Sequence, residues 1–158
     1  MSIQPGSVIP SVDVSILRDG TEIVNTKGLF AGRKVVLFAV PGAFTPTCSL
    51  KHLPSYSEHI AAFQERDIKL ICMSVNDSFV MDAWRKAEHV PDGIIMLADG
   101  NGAFTKALGL QLDAHSFGMG LRAQRFALYA EDGVVKQLHI EAPGEYKVSG
   151  AEAMLAVL

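Results

Sequence analysis

Residues 40–48 have the sequence Val40-Pro41-Gly42-Ala43-Phe44-Thr45-Pro46-Thr47-Cys48, and they join a strand-like segment to a helix-like one. The apolar run 35–39 before them is rich in β-branched residues and predicts a buried strand. The segment after them repeats apolar residues at steps of three and four, as an amphipathic helix does: Leu53, Tyr56, Ile60 and Phe63. We therefore predict a strand, a turn and a helix in this order.

Cys48 falls in the first turn of that predicted helix. Thr45 is a favoured N-cap residue, and Pro46 suits the first helical position because its missing N–H needs no partner there. Unpaired N–H groups and the helix dipole then favour the Cys48 thiolate by about 0.3–2 kcal/mol. This is too little to ionise a thiol fully at neutral pH, so we expect a nearby cation. The alternative is a buried, inert cysteine, the common fate of free cysteines.

Three neighbours modify this helix. The Thr45-x-x-Cys48 spacing is that of a capping box, so the Thr45 hydroxyl could donate to the sulfur. Pro54 predicts a kink or a shortened first segment. His52, four residues after Cys48, shares its face in a regular helix and could tune the thiolate or bind a metal with it. Because the sequence has no second Cys/His pair at a suitable spacing, we expect His52 to support the site and predict no metal.

The remaining segments alternate between strand and helix patterns. We predict strands over 12–17, 21–25, 68–75 and 94–97 and a hairpin of 123–130 and 133–140; the helices are one after the capping pair Asn76 and Asp77, one over 103–108 and one over 149–157. The turn Arg18-Asp19-Gly20 joins the first two strands, and Asp99-Gly100-Asn101-Gly102 ends the fourth. This order predicts an α/β fold with a central mixed sheet flanked by helices and an N-terminal β-hairpin extension, as one domain over residues 1–158.

The composition excludes several classes of protein. At 158 residues, 49% hydrophobic and 20% charged, the chain is globular, and no apolar run is long enough to span a bilayer. A net charge of −3 without a basic cluster gives no reason to expect nucleic acid or an anionic membrane as a partner. Two cysteines cannot make a disulfide-rich scaffold, and the N-terminus shows no secretory signal, so we expect a cytoplasmic protein.

The motif Pro41-x-x-x-Thr45-x-x-Cys48 resembles the active-site motif of the peroxiredoxins. The wider string 40–49 resembles their type II (peroxiredoxin-five-like) branch, and so do segments 74–84, 99–102 and 125–128. The resemblance runs in register through nearly the whole chain. It implies a thioredoxin-like fold and the thiol-dependent reduction of hydrogen peroxide and alkyl hydroperoxides, with no metal, flavin or haem as cofactor.

The same resemblance implies residue roles. Cys48 would be the peroxidatic cysteine, Thr45 would hydrogen-bond the thiolate and the peroxide, Pro41 would shield the pocket and Arg125 would supply the cation. From the residues alone, Arg122 and Arg125 stay equivalent candidates, three positions apart in one predicted strand and therefore on opposite faces. The family pattern selects Arg125, which leaves Arg122 as a solvated strand arginine.

Cys72, the second cysteine, lies in an apolar predicted strand and is expected to be a core thiol. The alternative is a resolving cysteine that forms a disulfide with Cys48, for which the two Cα atoms must come within about 7 Å. Other type II members place the resolving cysteine near the C-terminus, but residues 145–150 contain none. We therefore expect an external thiol as reductant, either glutathione with glutaredoxin or thioredoxin.

Phe44, Phe79 and Phe117 fall in or near predicted loop ends around the active-site segment. Phenylalanines are ordinarily core residues. The resemblance instead implies that such loops form a homodimer interface, and we expect a dimer on that ground.

Other functions compete with the peroxidase. A thiol–disulfide oxidoreductase or redox sensor on the same fold is disfavoured because the sequence has no Cys-x-x-Cys, and Thr45 occupies the place of its first cysteine. A non-enzymatic interaction or holdase module would not need Pro41, Thr45, Cys48 and Arg125 together. A Cys–His hydrolase lacks an Asn or Asp partner that the sequence identifies.

Overall fold

The computed structural model describes residues 2–17 and 20–158. The strands are β1 (Asp13–Leu17), β2 (Thr21–Asn25), β3 (Lys34–Ala39), β4 (Ile68–Ser74), β5 (Ile94–Ala98), β6 (Gln111–Ala114), β7 (Gly120–Ala123), β8 (Phe126–Glu131) and β9 (Val134–Ile140). The α-helices are α1 (Thr26–Phe30), α2 (Leu53–Glu58), α3 (Ile60–Glu65), α4 (Ser78–Ala87), α5 (Ala103–Leu108) and α6 (Ala151–Leu155). A π-helical turn covers Cys48–His52, and a 3₁₀ turn covers His115–Phe117. None of the helices in the described residues is long and apolar enough to cross a membrane.

The central sheet has seven strands in the order β2-β1-β5-β4-β3-β8-β9. Strands β3, β4 and β5 are parallel, whereas β1, β2, β8 and β9 run antiparallel to their neighbours. One buried hydrophobic cluster includes residues of α2, α3, α4 and α6, and a second includes residues of α1 and α5. The predicted α/β architecture with a mixed sheet is confirmed.

The carboxyl ends of the parallel strands bring the chemically active segments together. Residues 40–48 follow β3, and Asn76 and Asp77 follow the adjacent β4. Because parallel strands end at the same edge of a sheet, these two loops are neighbours. The Asp77 side chain caps α4 by accepting a hydrogen bond from the N–H of Val80, so only one of the two predicted capping residues is used for that purpose.

The predicted N-terminal hairpin is present as β1 and β2. The hairpin extends the central sheet at one edge, because β1 also pairs with β5 through Ser15 and Ala98. In the predicted turn between its strands, Arg18 and Asp19 lie outside the described residues.

The helix that carries Cys48 is interrupted as Pro54 predicts. Helical backbone begins at Pro46, which makes Cys48 the third helical residue. The chain then widens into the π-helical turn, where the N–H of Leu53 donates to the Cys48 carbonyl five residues earlier. Pro54 has no N–H to continue a regular α-helix at this point. The helix resumes as α2 and breaks again at His59 before α3.

Several elements differ from the predictions. Residues 123–130 are not one strand, since β7 ends at Ala123 and β8 begins at Phe126. Strands β6 and β7 form a separate two-stranded sheet that the sequence pattern does not indicate, and α1 is a single short helix too brief for periodicity to reveal. The last helix covers Ala151–Leu155, a shorter span than the predicted 149–157.

Candidate active site

Cys48 and Arg125 meet in a buried position. Nη2 of Arg125 donates a hydrogen bond to Sγ of Cys48 at 3.0 Å, and the Cys48 side chain has no exposed surface. Arg125 lies in the short link between β7 and β8, and β8 pairs with β3, the strand that precedes the Cys48 turn. The structure therefore places a cation beside the sulfur, as the energetics of the helix terminus require.

His52 holds the other side of the same guanidinium. Nη1 of Arg125 donates to Nδ1 of His52 at 2.9 Å, and Nε2 of His52 lies 3.0 Å from the Ser149 carbonyl oxygen. Because a guanidinium only donates and a carbonyl only accepts, the imidazole must carry its proton on Nε2. Burial, with help from the Arg125 charge, lowers the pKa of His52 to about 3. His52 is therefore a neutral side chain that orients Arg125.

Aromatic rings enclose this imidazole. The His52 ring centroid lies 5.2 Å from that of Phe38, 5.8 Å from that of Tyr56 and 5.3 Å from that of Tyr146. The Tyr56 hydroxyl donates to the Ser149 carbonyl at 2.7 Å, and the same oxygen accepts the hydrogen bond from Nε2 of His52. These rings exclude water from the imidazole, which is why burial is the largest cause of the lowered pKa of His52.

The turn before Cys48 is fixed at three successive residues. Nη1 of Arg122 donates to the Pro41 carbonyl at 3.3 Å, and the Thr45 hydroxyl donates to the Gly42 carbonyl at 2.7 Å. The N–H of Ala43 donates to Oδ1 of Asn76 at 3.1 Å. The following residue, Phe44, has a positive φ of 65°, a strained conformation that surrounding contacts must maintain.

Two sequence-based interpretations of Arg122 are wrong. Arg122 is not a solvated strand arginine, because its guanidinium is partly buried and also donates from Nε to the Met119 carbonyl at 2.9 Å. It does not share a strand with Arg125 either, since β7 ends between them. The Thr45 hydroxyl gives its proton to Gly42, and in this arrangement it has only lone pairs to offer another group.

Cys72 occupies the centre of β4. It pairs with Phe38 of β3 and with Met96 of β5 and has no exposed surface. Burial, followed by the proximity of Cys48, raises the pKa of the Cys72 thiol well above its ordinary value. Its surroundings are those of a core thiol.

The three phenylalanines are on the surface and not in the core. The exposed fractions are 54% for Phe44, 68% for Phe79 and 79% for Phe117, and Leu50 beside the active-site turn is 75% exposed. The ordinary expectation of core packing for the phenylalanines is wrong.

Several residues of the site carry no sequence signal. Asn76 is recognisable only as a helix-capping type, whereas its side chain accepts from Ala43 and from the Ser74 hydroxyl. Glu141 and Ser149 look like ordinary loop residues after a strand. A pattern of charges would not find them, because their contacts with the site arise from chain segments far apart in sequence. Within residues 2–17 and 20–158, no three His, Cys, Asp or Glu side chains converge as a metal site requires.

Known proteins resemble this chain along almost its whole length. The redoxin family model matches residues 4–155. The Arabidopsis thaliana protein named "Peroxiredoxin-2E, chloroplastic" is 46% identical over 99% of this chain and 70% of its own length. "Peroxiredoxin-2B" of the same plant is 42% identical over 99% of this chain and 98% of its own. The crystal structure of reduced Prx3 from Vibrio vulnificus in complex with hydrogen peroxide superposes with a TM-score of 0.94 at 47% identity, covering 98% of each chain.

These similarities confirm the resemblance and the thioredoxin-like fold. They extend over both halves of the chain and include the Cys48 turn and the segment of Arg125. The chain belongs to the redoxin family and is a thiol-dependent peroxidase of the peroxiredoxin type.

Proposed function

We propose that Cys48 is the peroxidatic residue and that it reduces hydrogen peroxide and small alkyl hydroperoxides. The observation that carries the proposal is the 3.0 Å hydrogen bond from Arg125 to the Cys48 sulfur in the first turn of a helix. The thiolate attacks the terminal oxygen of the peroxide, the one that carries the hydrogen; a sulfur–oxygen bond forms and the oxygen–oxygen bond breaks. The sulfur is oxidised to a sulfenic acid, and the leaving oxygen takes a proton to become water or an alcohol.

Arg125, Thr45 and Pro41 each have a proposed role in this reaction. Arg125 presents fixed N–H donors where the leaving oxygen gains negative charge, which lowers the barrier without reorganisation. The Thr45 hydroxyl, whose proton is engaged by Gly42, accepts the O–H of the peroxide and so aligns it with the sulfur. Pro41 covers the partly buried turn against water. The complex of the Vibrio vulnificus relative with hydrogen peroxide supports this choice of substrate.

The reductant of the sulfenic acid is proposed to be an external thiol, glutathione with glutaredoxin or thioredoxin. Cys72 is paired on both sides in the middle of the sheet, so a disulfide with Cys48 would require the core to open. Since Cys48 is buried, an external thiol also needs the π-helical turn to loosen before it can attack. The attacking sulfur forms a mixed disulfide and releases water, and a second thiol then restores Cys48.

The assembly is proposed to be a homodimer. Phe44, Phe79 and Phe117 are each more than half exposed, and the resemblance to the peroxiredoxins implies that their loops form a dimer interface. A second copy of the chain would bury these rings.

The proposed location is the cytoplasm, because two buried free cysteines suit a reducing compartment; fractionation of the source cells would test this.

The decisive experiment is stopped-flow oxidation of the reduced protein by hydrogen peroxide, followed by intact mass and thiol counting. Rapid loss of one thiol with one oxygen added supports a Cys48 sulfenic acid and an external reductant. Loss of two hydrogens instead would identify Cys72 as the resolving residue. Cys48→Ser should abolish turnover with every reductant, whereas Cys72→Ala should retain it. Full activity in Cys48→Ser would refute the assignment.

A further inference from the structure

Glu141 is a buried carboxylate that the mechanism above does not use. It follows β9, and only 6% of its surface is exposed. Its two oxygens accept five hydrogen bonds of 2.7–2.9 Å, from the N–H groups of Lys147, Val148 and Ser149 and from the Ser149 hydroxyl. Burial by itself would raise the pKa of Glu141, but these hydrogen bonds outweigh it and the pKa lies below its ordinary value. Glu141 is therefore an anion that holds the loop 147–149.

That loop ends at the contact that determines the state of His52. The Ser149 carbonyl accepts from Nε2 of His52 at 3.0 Å and from the Tyr56 hydroxyl at 2.7 Å. Glu141 also binds the other end of the cluster, because its own N–H donates to the Arg125 carbonyl at 2.9 Å. One residue thus joins the loop of Ser149 to the backbone of Arg125.

The position of the Ser149 carbonyl matters because the His52 proton has two possible sites. With the carbonyl in place, the proton stays on Nε2 and Nδ1 is free to accept from Arg125. If the carbonyl moved away, the proton could transfer to Nδ1, where it would face an N–H of the guanidinium. Two donors facing each other repel, so Arg125 would turn and its bond to the Cys48 sulfur would be misaligned.

We propose that Glu141 is a positioning residue for peroxide reduction, which fixes the loop 147–149 so that the Ser149 carbonyl locks His52 in the tautomer that aims Arg125 at Cys48. The inference rests on the proposed role of Cys48 and extends it to a residue that touches neither peroxide nor sulfur.

Glu145 provides a matched control. It lies in the same segment between β9 and α6, two residues before the loop 147–149, but its side chain is exposed and contacts Lys147, with 3.5 Å between Oε1 and Nζ. Glu141→Ala removes every acceptor, Glu141→Gln keeps an amide oxygen that still accepts, and Glu145→Ala repeats the loss of charge outside the buried cluster. Each variant is compared with the wild-type protein by its rate constant for reaction with hydrogen peroxide and by the ¹⁵N shifts of the His52 ring, which distinguish the tautomers.

Glu141→Ala should slow the reaction by about tenfold to a hundredfold and populate both His52 tautomers, because a small misalignment of catalytic groups is costly. Glu141→Gln should fall between it and the wild type, and Glu145→Ala should match the wild type in both readouts. An unchanged tautomer in folded Glu141→Ala, or a rate equal to that of Glu145→Ala, would overturn the proposal. If Glu141→Ala does not fold, Glu141→Gln decides: a mixture of tautomers with a slower rate supports the role, and a wild-type tautomer refutes it. Slow oxidation of the wild-type protein would instead count against the proposed function, and the tautomer measurement separates the two failures.

Discussion

Arg125 acts through geometry as much as through charge. Its two terminal nitrogens are used at once, Nη2 on the Cys48 sulfur and Nη1 on His52, and the planar guanidinium fixes the angle between those bonds. A lysine could bring the same charge but only as a mobile point with no forked geometry. Substitutions of Arg125 therefore test whether the orientation of the guanidinium, and not only its charge, contributes to the reaction.

Arg125→Ala should reduce the rate constant for oxidation by hydrogen peroxide by about 10²–10³-fold, the usual cost of losing one donor to a developing negative charge. Arg125→Lys should restore only part of the rate, because the lysine returns the positive charge without the forked geometry that bonds Cys48 and His52 together. Stopped-flow kinetics under excess peroxide would measure both. Arg33→Ala, a change at an exposed arginine, is the control. Equal rates in Arg125→Lys and the wild type would show that charge alone suffices.

At the scale of elements, the turn 41–45 depends on a strand that is remote in sequence. Arg122 of β7 donates to the Pro41 carbonyl, and Asn76 after β4 accepts from Ala43. Phe44 between these contacts and the helix has a positive φ, which costs about 1–3 kcal/mol for a residue with a side chain. The two contacts from neighbouring elements offset that strain.

Removing one contact should allow the turn to relax. Arg122→Ala should slow the reaction with peroxide by about tenfold through loss of alignment at Thr45 and Cys48. Arg122→Lys, which can still reach a carbonyl, should be milder. A wild-type rate in Arg122→Ala, with Phe44 unmoved in its crystal structure, would show that Asn76 alone maintains the turn.

At the scale of the molecule, the exposed phenylalanines predict self-association. Phe79→Glu or Phe117→Glu should weaken the proposed homodimer by about tenfold or more, because a charge would be buried against an apolar partner. Analytical ultracentrifugation over a range of concentrations would measure the effect. Val8→Glu alters another exposed apolar residue, which bridges to β9 at the far edge of the sheet, and should leave association unchanged. A wild-type protein that is monomeric at every concentration would refute the dimer.

The stability of the whole fold should fall in acid because of His52. The pKa of His52 is lowered to about 3 in the folded protein, against 6.5 for the ordinary side chain. Between these values the unfolded chain binds a proton that the folded chain excludes, so the free energy of unfolding rises with pH. The contribution is complete above pH 6.5 and is lost on acidification toward pH 3, by up to about 1.4 kcal/mol per pH unit.

Urea denaturation between pH 3.5 and 7 would measure this slope. His52→Asn should flatten it, since asparagine does not titrate, whereas His89→Asn on the surface should leave it as in the wild type. The hydrogen bonds of Glu141 lower its pKa, so Glu141 contributes stability above its ordinary pKa of 4.5, and this contribution is lost as the pH falls below that value. Glu141 therefore affects stability mainly at a lower pH than His52 does. Identical slopes for His52→Asn and the wild type would mean that His52 is not buried in its neutral form.

Much of the architecture follows from local chemistry. The strand β3, the turn, the helix start at Pro46 and the position of Cys48 in the first helical turn can all be predicted, because each depends on residues within a few positions of one another. The hairpin of β8 and β9 is predictable for the same reason, since Asp132 and Gly133 adopt the positive φ angles that its turn requires. The break at Pro54 is another local effect.

Long-range contacts decided the remainder. The sequence by itself determined the fold class and the family of the protein and led to Cys48 as the proposed nucleophile, because strand periodicity, helix capping and the Pro41-x-x-x-Thr45-x-x-Cys48 motif each depend on a short segment. Only the tertiary structure decided that Arg122 donates to the Pro41 carbonyl, that Asn76 accepts from Ala43, and that the Ser149 carbonyl accepts from His52. These contacts join residues up to 97 positions apart, as His52 and Ser149 are. No local sequence pattern predicts these contacts, because the residues beside each partner in the sequence do not indicate which distant residue it will contact.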